Sequence, residues 1–407
     1  MTQQPSRTAA RANRIVGTSG DDYFLVTAPA AVDGLGGHDT IAVDFSASAV
    51  ALHLDLSGLW TDGVGWLNGY QIRNIEAVGS AYPESGTENA IIFGSELDDV
   101  VVFGAAYAQR TAVYGLGGDD VLRGGDADPA ITGGNNFLDG GSGDDRVYGG
   151  ARADDLLGED GDDLLDGGGG DDLLFGNSGR DLLRGDAGND YLRGGAGDDQ
   201  LQGGAGDDRL DGSLGADVLS GGAGSDTAEY YGAESGVTVS LALGLAWEDG
   251  RPDLLSSIEN AAGSFFGDVL SGTGAANLLI GGLGDDALYG RGGADTLWGG
   301  QGADRLEGGA GADLFLYRDG DFEGAGGPDL IADFNGASGD RIDLSGAGAF
   351  TFTFIGGAAF SGTAGELRAT ASGGVWEVSG DRDGDGVGDF SILVASAAPL
   401  VAGDFVL

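Results

Sequence analysis

A chain of 407 residues with 85 glycines, seven prolines and 41% apolar residues is too rich in glycine for an ordinary large core. Its 66 acidic residues against 19 basic ones give a net charge of −47, which argues against nucleic acid and anionic membranes as partners and favours divalent cations. There is no cysteine, all 19 basic residues are arginine, and no apolar run reaches the length of about 18 residues needed for a transmembrane helix.

Residues 1–16 read as a flexible arm, polar and alanine-rich with three arginines, and they lack the apolar core of a secretory signal peptide. Residues 17–139 form a degenerate repeat and strand module. In it an aspartate precedes an apolar residue by two places at Asp22, Asp39, Asp99 and Asp120, off any continuous clock, which makes these four the weaker candidates for metal ligands. Alternation through Val50, Leu52, Leu54 and Leu56 marks half-buried strands. His38 and His53, the only two histidines, read as surface residues of a turn and of that strand.

From residue 140 to 229 the clock becomes strict. Ten aspartates stand nine residues apart: Asp145, Asp154, Asp163, Asp172, Asp181, Asp190, Asp199, Asp208, Asp217 and Asp226. Neither a helix nor a single strand needs that period, so it belongs to a repeating supersecondary unit. Each unit runs as Gly194-Gly195-Ala196-Gly197-Asp198-Asp199-Gln200-Leu201-Gln202: turn glycines, the clocked aspartate, then an apolar residue two places later. Six positions are expected to make the turn and the last three a very short strand whose middle side chain points inward. Two nonapeptides make one coil, so Asp145 faces Asp163 on one edge and Asp154 faces Asp172 on the other. Stacked strands about 4.8 Å apart leave room between coils for a cation that binds oxygen at about 2.4 Å, which suits calcium better than magnesium or zinc.

These motifs resemble the RTX (hemolysin-type calcium-binding repeat) family, whose consensus is GGxGxDxUx. The resemblance implies an all-β fold, a parallel β-roll or β-solenoid with calcium bound between turns. One buried leucine per unit gives roughly 2–3 kcal/mol, whereas ordering nine residues costs on the order of 13 kcal/mol, so such repeats are expected to fold only when the cation binds. At one ion per facing pair, about 8–12 calcium ions are expected.

Residues 230–262 repeat the order of landmarks seen between Asp39 and Ser80, with alternation through Val237, Val239, Leu241, Leu243 and Leu245, and suggest an internal duplication that continues the solenoid without metal. Trp60, Trp66 and Trp247 lie in or near these two segments and read as caps over apolar ends rather than as a sugar-binding surface. A second block, 263–316, carries Asp268, Asp286, Asp295, Asp304 and Asp313 as metal ligands, with Asn277 a neutral substitute that weakens its site. After Tyr317 the clock stops.

Residues 317–407 are similar to the carboxy-terminal domain of serralysin-type secreted proteins, through Asp329-Leu330-Ile331-Ala332-Asp333-Phe334, Asp340-Arg341-Ile342-Asp343-Leu344-Ser345 and the loop from Gly380 to Phe390. Asp381, Asp383 and Asp385 followed by Gly386 match the first half of an EF-hand loop, but its twelfth position is Ile392, which rules out a full EF-hand. The ending Asp404-Phe405-Val406-Leu407 looks like an uncleaved type I secretion signal. That resemblance implies export through a type I ABC exporter complex and a secreted, extracellular or cell-surface location in a bacterium. No H-E-x-x-H, no G-x-S-x-G and no cysteine are present, so no catalytic residue is nominated. A non-catalytic structural, adhesive or matrix role is expected; the alternatives are a module that binds or modifies extracellular polysaccharide, or the remnant of a protease lacking its zinc domain.

Overall fold

The computed structural model describes residues 99–102, 111–124, 135–248, 250–322, 327–348 and 351–407, and, before residue 99, nine short strands from Arg14–Val16 to Ala90–Ser95. The chain is all-β, a parallel β-solenoid, and it divides into two compact units, Met1–Gly224 and Ser225–Leu407. Among the described residues the one helical turn is a 3-10 turn at Ala402–Asp404, and no helix is long and apolar enough to cross a membrane.

In the first unit each nonapeptide contributes one strand, and strands alternate between two parallel sheets. Gln200–Ala205 pairs with Leu182–Ala187 and Val218–Ala223 in one sheet, while Tyr191–Ala196 pairs with Leu173–Ser178 and Arg209–Leu214 in the other. The register is i to i+18, as in Leu183↔Leu201 and Leu192↔Leu210. The inward residues from Val147 to Leu219 are wholly buried and stack into a single apolar file.

The strands are longer than the sequence suggests. Six residues rather than three belong to each, because pairing continues through both glycines and the variable residue after them. The second glycine bends the strand without ending it: Gly195 has φ +114, and a Cβ there would lie 2.2 Å from the carbonyl oxygen of Asn177 in the neighbouring coil. The turn shrinks to three residues, and even its glycine amide is paired, as when Gly179 N donates to Ala196 O at 2.8 Å.

Upstream, the coil lengthens from 18 residues to 25 and then 21, in the registers Val121↔Arg146 and Val100↔Val121. The first non-glycine segment forms an antiparallel meander of His53–Asp55, Val64–Leu67 and Tyr70–Arg73, whose first strand also pairs in parallel with Val100–Val102.

The second unit uses the same device. Thr238–Ser240, Leu245–Glu248 and Arg251–Ser256 form an antiparallel meander, and Thr238–Ser240 pairs in parallel with Val269–Ser271. The two segments expected to be related thus share a topology: the first strand of each continues the coil, and in the first segment the last strand, Tyr70–Arg73, also pairs in parallel with Ala31–Asp33. Glu248 faces Arg251 across a two-residue Asp-Gly link, and such links favour a tight hairpin. Past Tyr317 the parallel coils go on through longer loops: Asp329–Ile331 pairs with Arg305–Glu307, Arg341–Gly346 with Leu314–Arg318, and the terminal Phe405–Val406 with Arg341–Gly346.

Candidate metal centre

The clocked aspartates form two columns, one along each edge where strand follows turn. Each carboxylate reaches back one coil and accepts a backbone N–H: Asp163 Oδ1 from Asp145 N at 2.8 Å, Asp181 from Asp163 at 2.9 Å and Asp199 from Asp181 at 2.8 Å. The opposite column repeats this with Asp172 and Asp154 at 2.7 Å, then Asp190 and Asp172 at 2.8 Å. One oxygen of each is therefore spent on holding coils together. The other, Oδ2 of Asp145, Asp154, Asp163, Asp172, Asp181, Asp190 and Asp199, is buried with no hydrogen-bond partner, and so are those of Asp286, Asp295, Asp304 and Asp313.

A buried carboxylate oxygen without a donor demands either a proton or a cation. Burial pushes Asp145, Asp154, Asp163 and Asp181 up to about 7, against the pull of the backbone amide each one accepts from. Asp172 is pushed to about 9, first by burial and then by the neighbouring charges of Asp154, Asp190 and Asp171, and Asp286 to about 8. At Asp163, Asp181, Asp190, Asp286 and Asp295 the Oδ2 shares its niche with a glycine carbonyl from the next coil. A Cβ placed on Gly158 would meet Asp163 Oδ2 at 2.2 Å and Gly176 O at 2.9 Å, and one on Gly176 would meet Asp181 Oδ2 at 2.2 Å and Gly194 O at 2.7 Å. Only glycine leaves that space open. The donor set is oxygen alone, carboxylate with carbonyl, repeated coil by coil, and it fits calcium.

A second, exposed row, at Asp144, Asp162, Asp171, Asn189 and Asp198, lies one residue before the clocked aspartates and hooks in the opposite direction. Asp162 N donates to Asp144 Oδ1 at 3.0 Å, and Arg180 N to Asp162 Oδ1 at 2.9 Å. Arg180 also sets its guanidinium 2.7 Å from Asp162, relieving like-charge crowding on that edge.

The weaker candidates Asp99 and Asp120 belong to the first column, since Asp99 N donates to Asp120 Oδ1 and Asp120 N to Asp145 Oδ1, both at 2.7 Å. Asn136 heads the opposite column, donating its N–H to Asp154 at 2.6 Å; the apolar Leu138 two places later was the available signal. Asp208 and Asp217 accept from Asp190 and Asp199 at 2.9 and 2.8 Å. In the second unit Asp226 N donates to Glu259 Oε2 at 3.0 Å, so a glutamate takes the rung there.

Two further rungs were hidden from the sequence reading. Asp329 accepts from Asp304 N at 2.9 Å and Asp340 from Asp313 N at 3.2 Å, across gaps of 25 and 27 residues. Asp340 spends its second oxygen on Asn335 N at 2.8 Å, which closes that column with protein donors.

The upper end of the second block is closed likewise. Asp268 accepts from Val237 N at 2.7 Å, Ser264 Oγ at 2.9 Å and Ser264 N at 2.6 Å, while Asn277 accepts from Thr273 N at 2.7 Å. Ser264 and Thr273 occupy the second-glycine position, and their hydroxyls supply the caps.

Asp381, Asp383 and Asp385 come together, each offering an oxygen within 4.8 Å of the others. Asp381 is buried and accepts from Gly384 N at 2.7 Å and Gly386 N at 2.9 Å, while exposed Asp383 and Asp385 accept from Asp385 N and Val387 N at 3.0 and 2.7 Å. At the terminus Asp404 accepts from Val401 N at 2.7 Å and Phe405 is buried. Asp22, Asp39, His38 and Trp60 lie outside the described residues.

No curated protein matches the chain. Among solved structures the chain is similar to an extracellular lipase, LipA from Serratia marcescens, at 17% identity and a TM-score of 0.24 over 67% of this chain and 40% of that one. The chain thus spans less than half the length of that structure. The family described as RTX calcium-binding nonapeptide repeat (4 copies) matches residues 112–128, 132–165, 148–183, 166–201, 175–210, 193–228, 263–297 and 289–321, the stretches that build the aspartate columns. Residues 112–128, 132–228 and 263–321 are thus RTX calcium-binding nonapeptide repeats.

Proposed function

We propose that this protein is an extracellular, non-catalytic β-solenoid whose folding is switched on by calcium after export, and that it serves a structural, adhesive or matrix role at or near the bacterial surface. The observation that carries the reading is the file of buried Oδ2 atoms without a protein donor, repeated through both units. Calcium neutralises what burial otherwise penalises, and it is abundant outside the cell and scarce inside. The ligands are Asp145 to Asp217 in the first unit and Asp226, Asp286, Asp295, Asp304 and Asp313 in the second, joined by Asp99 and Asp120, with about 8–12 ions in all; Asp268, expected as a ligand, has both oxygens taken by protein donors. The Asp381 loop is a separate, optional position.

Export through a type I ABC exporter fits the carboxy-terminal ending. Asp404 and Phe405 are buried, and Phe405 is paired with Ile342 in the fold, so these two are open to an exporter only before the last coil closes. The serralysin-like reading of residues 317–407 and the division into modules at 16, 139, 229, 262 and 316 belong to this proposal. Circular dichroism in chelator and then in millimolar calcium tests it: β-sheet signal is expected to appear only with calcium, and the same spectrum in both overturns the folding switch. Deleting Asp404–Leu407 is expected to abolish secretion in the native host, and unchanged secretion overturns the export reading.

A further inference from the structure

The meander between the two aspartate blocks leaves a face of the second unit that metal binding does not use. Thr238–Ser240, Val269–Ser271, Ala287–Tyr289 and Arg305–Glu307 lie side by side in parallel register. Their middle residues, Val239, Leu270, Leu288 and Leu306, are wholly buried. The residues flanking them therefore line the outer face, and one row across the strands reads Ser240, Ser271, Tyr289 and Glu307, with about 4.8 Å between rungs.

A cavity of about 620 Å³ stands over this face, with Leu243 and Trp247 of the meander as its wall. Its size is that of a small-ligand site. Four observations define what suits it. Trp247, Leu243 and Val269 are 37%, 69% and 42% exposed, an apolar and partly aromatic surface left in water. Ser240 is only 7% exposed, and its buried Oγ has no hydrogen-bond partner. Arg291 is held over the face by its Nε donating to Ser271 Oγ at 2.6 Å, and among the described residues it joins no ion pair. Glu307 is the one carboxylate in the lining and is 3.0 Å from Arg305.

An indole beside hydroxyls, one guanidinium and one carboxylate offers an apolar plane together with both donors and acceptors. A pyranose ring has that make-up, with C–H faces that pack on an aromatic ring and hydroxyls around its edge that both give and take hydrogen bonds. An acyl chain would leave Ser240 Oγ unsatisfied and desolvate Arg291. An anionic sugar would meet the field of a chain whose net charge is −47. We propose that the Trp247 cavity binds neutral pyranose oligosaccharides, with Trp247 as the stacking plane and Ser240, Arg291 and Glu307 as the hydroxyl partners.

The inference goes beyond calcium binding and uses the calcium-loaded full chain. Isothermal titration with cellotetraose, mannotetraose and tetragalacturonate, at matched free calcium, is the test. At least one neutral tetrasaccharide is expected to bind, and more tightly than tetragalacturonate. Trp247→Ala is expected to weaken that binding by at least about tenfold with the β-sheet spectrum unchanged. Arg291→Gly guards against a merely damaged fold: Arg291 has φ +74, which glycine adopts without strain, so this variant is expected to melt no lower than the parent while losing affinity. Silence toward both neutral sugars from a chain with its β-sheet spectrum intact overturns the inference and leaves the calcium reading standing. Tighter binding of tetragalacturonate, or parental affinity in Trp247→Ala, overturns it equally.

Discussion

Replacing Asp172 by asparagine should have opposite effects with and without calcium. Asp172 sits mid-column, accepting from Asp154 N at 2.7 Å and donating its own N–H to Asp190 Oδ1 at 2.8 Å. Asparagine keeps an oxygen for the first bond and leaves the second untouched. What changes is Oδ2, buried without a donor, on a carboxyl pushed up to about 9 from 3.8. At pH 7 the cation-free fold must hold a proton there that the unfolded chain releases, at a cost of up to about 4 kcal/mol. Asp172→Asn removes that cost, so in chelator the variant should be the more stable one. In calcium it has lost a ligand oxygen's charge, so the calcium midpoint of folding should move to higher concentration and the loaded protein should melt lower. Osmolyte-induced folding in chelator, followed by circular dichroism, measures the first arm, and urea unfolding in millimolar calcium measures the second. Equal destabilisation under both conditions would refute the argument, because the side chain would then be acting through packing alone.

The same carboxylates set a pH dependence. Their folded values lie above the unfolded 3.8, at about 7 for Asp145, Asp154, Asp163 and Asp181, so the stability they confer on the cation-free fold is complete below about pH 4 and is lost as pH rises through 7. In chelator, β-sheet signal should therefore be stronger at pH 4.5 than at pH 8, by about 1.4 kcal/mol per pH unit for each group at most. Glu159 occupies the second-glycine position with φ +77, and burial first and the Glu159 charge second push the carboxyl of Asp139 up to about 6, so Glu159→Gly should stabilise the loaded protein by about 1 kcal/mol in thermal unfolding. Leu183→Ala removes a wholly buried side chain from the apolar file and should cost about 2–5 kcal/mol by urea unfolding, with calcium stoichiometry unchanged.

The nine-residue clock made the columns from Asp145 to Asp217 legible, because every coil there closes in 18 residues and sequence spacing translates directly into height. Legibility failed where loop length varied. Asp329 and Asp340 extend the columns through the same amide-to-carboxylate bond, but the intervening loops stretch the coil to 25 and 27 residues and erase the period. Strand length was misjudged because glycine is a poor strand former on average, whereas here neighbouring coils pair with its backbone on both sides. The closure at Asp268 and Asn277 was written in Ser264 and Thr273, single departures from glycine whose meaning depends on geometry. The row facing Trp247 was least legible of all, since Ser240, Ser271, Tyr289 and Glu307 are brought together only by registers of 31, 18 and 18 residues.

The two rows of hooks in the first unit bear on how the molecule resists being pulled. Each inner carboxylate grips the coil before it and each outer one the coil after it, so no coil is released without breaking a rung on both sides. Under tension along its length such a stack should yield in discrete events rather than by gradual stretching. Each event frees one coil of 18 residues, about 60 Å of extended chain. A tether built this way lengthens stepwise under load and recloses when the load falls, provided calcium remains around it.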